Sequence, residues 1–479
     1  MRLIYVLIAL VALVSGCASP GEWSSDTPTI VNPKASKAAR VDLEKQSVSK
    51  VYAPSDNLWI RIRDGFQMEP MNNPLEIEQV RWLSARPDYV NRSMARSSRY
   101  LFYIVQEVNA RNMPTEIALL PFVESAFVTH AKSRAKAVGL WQFMPATGKD
   151  FRLTQNVFRD ERRDVLQSTD AALDYLQRLY AQFGTWELAL AAYNWGTGNV
   201  MKAQKRNIAA GLPTDYESLK MPKETRQYVP KLMAYRQIVL DPSAYGIVLP
   251  ELENHPYFIA VDVSNDIDVA LVIKLADIPS EEFHNLNPSF NKPVILSNAN
   301  QQILLPFAHA EIFQENLKNY TKPLASWTAV QIKKTESLDQ AAKTLGVAPD
   351  TLRDINGIPK GMRIKAGSTV LIPKSSLVSS DVSPTLAENA SLSLEKPTPA
   401  TPANKCVKPA NNANGSKGAQ QNKCAPVKQA KKTDQTNAKG NSSKNTAASQ
   451  HKSASTDLAK SAKNNNPANP INKGVNAMQ

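Results

Sequence analysis

The sequence predicts a multidomain chain: one mainly α domain, then two small βααβ modules, then a disordered tail. Three observations carry this. Between Pro87 and Leu240 apolar residues recur at helical spacing. From Tyr257 the pattern becomes strand, helix, helix, strand, and it does so twice. After Lys374 the chain is made of Ala, Asn, Lys, Ser, Pro and Gln with hardly an aromatic, so it cannot bury enough surface to offset chain entropy. At 479 residues the chain is also too long for one ordinary domain.

At the N-terminus, Arg2 and the apolar run Leu3 to Val14 read as a secretory signal, too short to span a membrane as a mature helix. Val14-Ser15-Gly16-Cys17 follows directly and resembles the bacterial lipobox. That resemblance implies a lipoprotein signal peptide over residues 1–16 and a lipidated Cys17. Ala18 behind it points to the periplasmic face of the outer membrane, because an Asp there would signal inner-membrane retention. Residues 17–55, rich in Ser, Pro, Thr and Lys, read as a flexible tether.

The α domain is expected over 56–250. Amphipathic order starts at Asn57-Leu58-Trp59-Ile60-Arg61-Ile62. Pro87 to Asn109 carries the stripe Tyr100, Leu101, Ile104, Val105, Val108. Ile117, Leu120, Pro121 and Glu124 then fall at i, i+3, i+4 and i+7, one buried helical face. The strongest helix is Asp164 to Phe183, with Gly184 as its stop. Trp186 to Tyr193 is almost wholly apolar, as a central helix would be, and Gly196-Thr197-Gly198 breaks it. Lys223 to Leu240 closes the domain with Val229, Leu232, Met233 and Leu240 inward.

Glu124 is the anomaly. An ionised carboxylate on an apolar face is costly, so it tends to raise its pKa and keep its proton. A carboxyl kept neutral near pH 7 is what a general acid for glycosidic cleavage requires. Taken alone, Glu124 reads more readily as an exposed residue on a mis-phased helix or a capped structural acid. Its neighbours change this. Glu124-Ser125, Gly139-Leu140-Trp141-Gln142, Ala192-Tyr193-Asn194 and Tyr228-Val229, in this order, resemble the signature of the lytic murein transglycosylases with a goose-lysozyme-like catalytic domain.

The resemblance implies a lysozyme-like fold and a chemistry with one carboxylate, Glu124. Asp150, Asp160, Glu161 and Asp164 lie nearby in sequence, the last three in a charged turn, and none matches a motif. By the same resemblance Glu124 protonates the oxygen between N-acetylmuramic acid and N-acetylglucosamine, then takes the proton of the muramyl 6-hydroxyl as it closes a 1,6-anhydro ring. Ser125 is implied to support Glu124. Gln142 and Asn194 would hydrogen-bond substrate, Tyr193 would line the cleft, and Tyr228 would reach the Glu124 carboxyl. Trp141 sits where a ring could pack on a sugar, and core packing suits it equally. Two rival functions stay open: a lysozyme-type hydrolase of the same bond, and a wall-binding lipoprotein without activity.

Over 326–374 the second βααβ module resembles the LysM peptidoglycan-binding unit. The match runs through Ser337-Leu338, Ala341-Ala342, Leu345-Gly346-Val347, Leu352, Asn356-Gly357 and the ending Val370-x-Ile372-Pro373. Lys333-Lys334-Thr335-Glu336 departs from the family's turn. The first module, 251–322, is more diverged, and a structural role suits it at least as well as binding. The tail, 375–479, holds fourteen Lys against five Asp and Glu, most of the chain's net +14. A solvated tail is the simpler reading, with weak attraction to anionic wall polymers as the alternative.

Cys406 and Cys424 in the tail are open to oxidation in an exported chain. No Cys lies in the catalytic stretch and the five His show no ligand spacing, so thiol catalysis is excluded and neither metal nor organic cofactor is expected. The expected partners are peptidoglycan glycan strands and outer-membrane lipid. Nucleic acid is not among them, since the basic tail lacks stacking aromatics.

Overall fold

Caps and apolar spacing set the helices of the α domain. The computed structural model describes residues 57–297, 302–375 and 380–397. The signal peptide, Cys17, the tether, Cys406 and Cys424 lie outside the described residues. Helices α1 (Leu58–Asp64), α2 (Pro74–Ser84), α3 (Pro87–Ser97) and α4 (Leu101–Ala110) open the domain. Asn57 and Asn73 cap α1 and α2 by accepting from the backbone N–H groups of Trp59 and Glu76. The expected stripe from Pro87 to Asn109 is buried as anticipated, but a turn at Ser98–Tyr100 divides it between α3 and α4.

The stretch to Glu124 is helical in two pieces, a 3₁₀ turn (Thr115–Leu119) and the short α5 (Leu120–Glu124). Pro121 explains the division: it has no N–H to donate back to Ile117, whose carbonyl accepts from Leu120 in a tighter turn. α6 (Pro145–Asp150) follows, then α7 (Val165–Phe183). Asp164 caps α7 through the N–H groups of Leu166 and Gln167, and Gly184 ends it at φ +77°. α8 (Trp186–Trp195) is buried along most of its length, as its composition predicts. Gly196, at φ +93°, redirects the chain without ending the helical region, and α9 (Thr197–Ala209) starts at once. α10 (Lys223–Arg226) leads into α11 (Tyr228–Leu240), which packs against α2, α5 and α8. Leu240 departs from the expected inward position and is substantially exposed.

The two modules share one architecture. In the first, β1 (Phe258–Asp262) pairs antiparallel with β4 (Gln302–Pro306), and β2 (Ile267–Asp268) with β3 (Val294–Ile295). Helices α12 (Val269–Ala276) and α13 (Ser280–Leu286) lie between these strands in sequence, and α14 (Phe307–Lys318) follows β4. In the second, β5 (Trp327–Gln331) pairs with β8 (Thr369–Pro373) and β6 (Glu336–Ser337) with β7 (Arg363–Ile364), around α15 (Leu338–Leu345) and α16 (Pro349–Asn356). A buried asparagine marks the correspondence. Asn287 donates to the carbonyls of Phe283 and Leu304 and accepts from Leu304 N–H. Asn356 makes the same set with Leu352 and Leu371. Each ties the end of a helix to its returning strand, so the first module keeps the structural asparagine despite its divergence.

Order extends beyond Lys374, where the sequence places the start of a disordered tail. Residues 380–397 contain α17 (Pro384–Glu388) and β9 (Leu394–Glu395), and β9 adds to β7. Val382, Ala387 and Ala390 are buried with Phe158 of the α domain, Val294 and Leu296 of the first module, and Ala329 and Leu371 of the second. Three small apolar residues in a polar stretch suffice because each fills space between bodies that are already folded.

Candidate active site

Glu124 is the last residue of α5, and the backbone turns sharply behind it. Ala126 and Phe127 both take left-handed conformations, φ 50° and 59°, which side chains adopt only when their surroundings impose them. Those surroundings are visible. Phe127 N–H donates to the Pro121 carbonyl (3.2 Å) and Arg96 Nε to the Ala126 carbonyl (2.8 Å). Phe122 packs edge-on against Phe127 and stacks on Tyr235 of α11. Ser125 is fully buried, and its hydroxyl donates toward the carbonyls of Leu140 (3.0 Å) and Pro121 (3.2 Å). The hydroxyl thus ties the turn behind Glu124 to the Leu140 backbone inside the core.

The Gly139–Gln142 segment is thereby stapled to the Glu124 helix. Gly139 sits at φ +85°, and a Cβ there would lie 2.2 Å from the Arg162 carbonyl, so only glycine fits. Arg162 itself pairs with Asp160 (2.7 Å) and donates to the carbonyls of Lys136 and Phe143, fixing the loop from outside. Gln142, at φ 49°, turns its Nε2 back onto the Gly139 carbonyl (2.9 Å). Its Oε1 is buried and has no hydrogen-bond partner among the described residues. A buried acceptor left open in this way is costly unless a ligand fills it.

Trp141 is corrected by the structure. It is 0% exposed and its indole N–H donates to Thr169 Oγ1 (3.0 Å), so its ring belongs to the core and offers no face to a sugar. Tyr193 is also nearly buried, its hydroxyl donating to the Trp141 carbonyl (2.8 Å), while its phenol feels the Glu124 charge. Asn194, the next residue on α8, accepts through Oδ1 from Thr225 Oγ1 (2.8 Å). Tyr228 donates its hydroxyl to Glu124 Oε1. The structure therefore sets Tyr193 and Tyr228 beside Glu124, holds Asn194, next to Tyr193 on α8, against Thr225, and links Gln142 to the Glu124 helix through Ser125 and the shared loop.

Electrostatics follow from this enclosure. Burial pushes the Glu124 carboxyl up to about 7; the Tyr228 hydroxyl opposes the rise, the charge of Glu224 adds to it, and Lys231 offsets part of it. Burial, and then the neighbouring Glu124 charge, raise Tyr228 well above its ordinary value, so it stays protonated and remains a donor. The other nearby acids have structural duties: Asp164 caps α7, Asp160 pairs with Arg162 and Glu161 with Arg159. Glu116, fully buried, is held by the N–H groups of Gln67 and Met68 and by Arg236. Sequence reasoning missed Thr225, Glu224 and Lys231. Lys231, three residues after Tyr228 on α11, lies at the helical spacing that would have flagged it, whereas Glu224 and Thr225 sit on the separate α10.

An α domain with a carboxyl raised to about 7 at a helix end and held by a tyrosine hydroxyl, followed by small βααβ modules, defines a lysozyme-like glycan-cleaving class. The description "Transglycosylase SLT domain" matches residues 103–211, and "Lytic transglycosylase MltD, LysM-like domain" matches residues 257–322. Membrane-bound lytic murein transglycosylase D of Escherichia coli K12 is 33% identical over 382 residues, covering 77% of this chain and 84% of that protein; the protein of the same name from E. coli O6:H1 gives the same values. A protein of Alteromonas sp. named for tributyltin chloride resistance is 41% identical over 136 residues, 28% of this chain and 61% of that one. The chain belongs to the membrane-bound lytic murein transglycosylase D family.

Proposed function

We propose that the chain, a lytic transglycosylase acting on peptidoglycan, cleaves the β-1,4 bond between N-acetylmuramic acid and N-acetylglucosamine with Glu124 as its one acid and base. The observation that carries this is the Glu124 carboxyl, raised by burial to about 7 and held by the Tyr228 hydroxyl. A carboxyl with that value is protonated often enough to give a proton and ionised often enough to take one. In the first step Glu124 protonates the glycosidic oxygen as the bond to C1 breaks. The muramyl 6-hydroxyl then attacks C1 and gives its proton to the Glu124 carboxylate, so the acid is restored and no water is consumed. An attached hydroxyl has a large effective concentration, which removes the need for a second carboxylate to activate water. In this reading Gln142 Oε1, buried and without a partner among the described residues, would accept from substrate, and the Asn194 amide would donate to it.

Glu124→Gln tests the assignment. It keeps shape and removes the proton, so turnover of purified sacculi should fall by about 10²–10⁴-fold or more, while sacculus binding persists. Retained turnover would exclude Glu124. Mass spectrometry of the released muropeptides separates anhydro from hydrolysed ends, and hydrolysed ends would favour the lysozyme-type reading.

The lipid anchor at Cys17 is part of the same proposal. The lipobox-like Val14-Ser15-Gly16-Cys17 supports it, Ala18 favours the periplasmic face of the outer membrane, and the E. coli relatives are named as membrane-bound. Cys17→Ser should move the protein from the membrane to the soluble fraction, and unchanged partitioning would overturn the anchor.

A further inference from the structure

We propose that Thr225 is a positioning residue that sets the sense of the Asn194 carboxamide. The inference rests on the reading of Asn194 as a substrate contact. A carboxamide can present either its oxygen or its nitrogen by a half-turn about its last bond, and the two ends are nearly equal in shape. The Asn194 end is decided by its buried neighbour. Thr225 is 2% exposed, Asn194 is 8% exposed, and Thr225 Oγ1 donates to Asn194 Oδ1 at 2.8 Å. With its oxygen engaged, the amide turns Nδ2 the other way, and Nδ2 has no protein acceptor among the described residues. The site then offers an N–H donor from α8 and, from Gln142, an open oxygen whose own nitrogen is engaged by the Gly139 carbonyl.

Thr225 is itself fixed. It lies in the short α10, its carbonyl accepts from the Tyr216 hydroxyl (2.7 Å), and Tyr216 also reaches the Arg226 carbonyl (3.0 Å). Three residues on, Tyr228 meets Glu124. One connection, from α10 into α11, therefore orients the acid through Tyr228 and the amide through Thr225. Thr225 acts through Asn194 and does not itself touch the reacting atoms.

The experiment uses the full chain and soluble, uncrosslinked glycan strands, with kcat and KM measured separately for Thr225→Val, Thr225→Ser, Asn194→Ala and the Thr225→Val/Asn194→Ala double variant. Valine keeps the shape and removes the hydroxyl, whereas serine keeps the hydroxyl. An interaction made in both ground and transition states is read in KM. The expected result is a KM about tenfold higher for Thr225→Val with kcat within about twofold of wild type. Serine should restore KM to within about threefold, and valine should add nothing once Asn194 is alanine. Unchanged KM in the valine variant overturns the proposal, as do losses that multiply in the double variant, because Thr225 would then act independently of Asn194. Unchanged KM in Asn194→Ala overturns it too. That last result would remove Asn194 from substrate recognition while leaving the Glu124 assignment to its own test.

Discussion

The Tyr228 hydroxyl donates to Oε1 of Glu124 across 104 positions of sequence, and it acts against the burial that raises the same carboxyl. The bond favours the ionised form, which is the form needed to receive the 6-hydroxyl proton. Tyr228→Phe should therefore raise the Glu124 pKa further. The high-pH limb of turnover should move to higher pH, and maximal turnover should fall roughly tenfold or more, as expected for a lost hydrogen bond to a charged group. A limb that moves to lower pH, or stays in place, would mean that Tyr228 does not tune the acid.

The raised Glu124 pKa also has a stability consequence. Its value is about 7 when folded against about 4.5 for the ordinary group, so the folded state holds this proton more tightly than the unfolded chain. Its favourable contribution is complete below about pH 4.5 and is lost as pH rises through about 7. A neutral glutamine does not follow that course. Glu124→Gln should raise the thermal midpoint relative to wild type at pH 8, by at most about 3 kcal/mol of stability, and the gain should shrink toward pH 5. Differential scanning at the two pH values decides this. A gain that is the same at both would show that ionisation of Glu124 is not its source.

Gly139→Ala probes the loop that carries Gln142. The new methyl would lie 2.2 Å from the Arg162 carbonyl, in a backbone conformation, φ +85°, that alanine disfavours. Either the loop or the Arg162 segment must move. A stability loss of roughly 2 kcal/mol or more is expected from the strain. Displacing Gly139 also removes the carbonyl that orients Gln142 Nε2, so KM should rise in the folded fraction. Wild-type stability and KM in this variant would show that the contact is relieved at no cost.

Much of the site was legible because its chemistry is local in sequence. Glu124 stood out as an acid on an apolar stripe, and α7 and α8 followed from spacing and glycine stops. Two of the departures share a cause, partners distant in sequence. Trp141 is a large ring with a polar edge, and composition cannot tell a cleft wall from a core position; the Thr169 hydroxyl that satisfies its N–H lies 28 residues away. Thr225 carries no unusual local signal, since its meaning arises only when α10 comes against α8. Helix α9 was missed because a glycine pair reads as a stop, whereas Gly196 only changes direction.

The ordered segment beyond Lys374 gives the last prediction. Composition alone favours a tail that could be removed without effect, and residues 380–397 contradict this locally. Val382 N–H donates to the buried Asp266 carboxylate (2.9 Å), whose other oxygen receives Ser297 N–H. Val157 N–H of the α domain donates to the Ala390 carbonyl, and Asn156 Nδ2 reaches the carbonyls of Ala387 and Glu388. Ending the chain after Lys374 would expose the apolar surface under Val382, Ala387 and Ala390, free β7 of its partner β9, and leave Asp266 short of a donor. Burial of one valine and two alanines, with a buried carboxylate's hydrogen bond, amounts to roughly 3 kcal/mol. A chain ending at 397 should keep the full-length thermal midpoint, whereas one ending at 374 should unfold several degrees lower. Equal midpoints for the two truncations would mean that the segment rests on the modules without stabilising them.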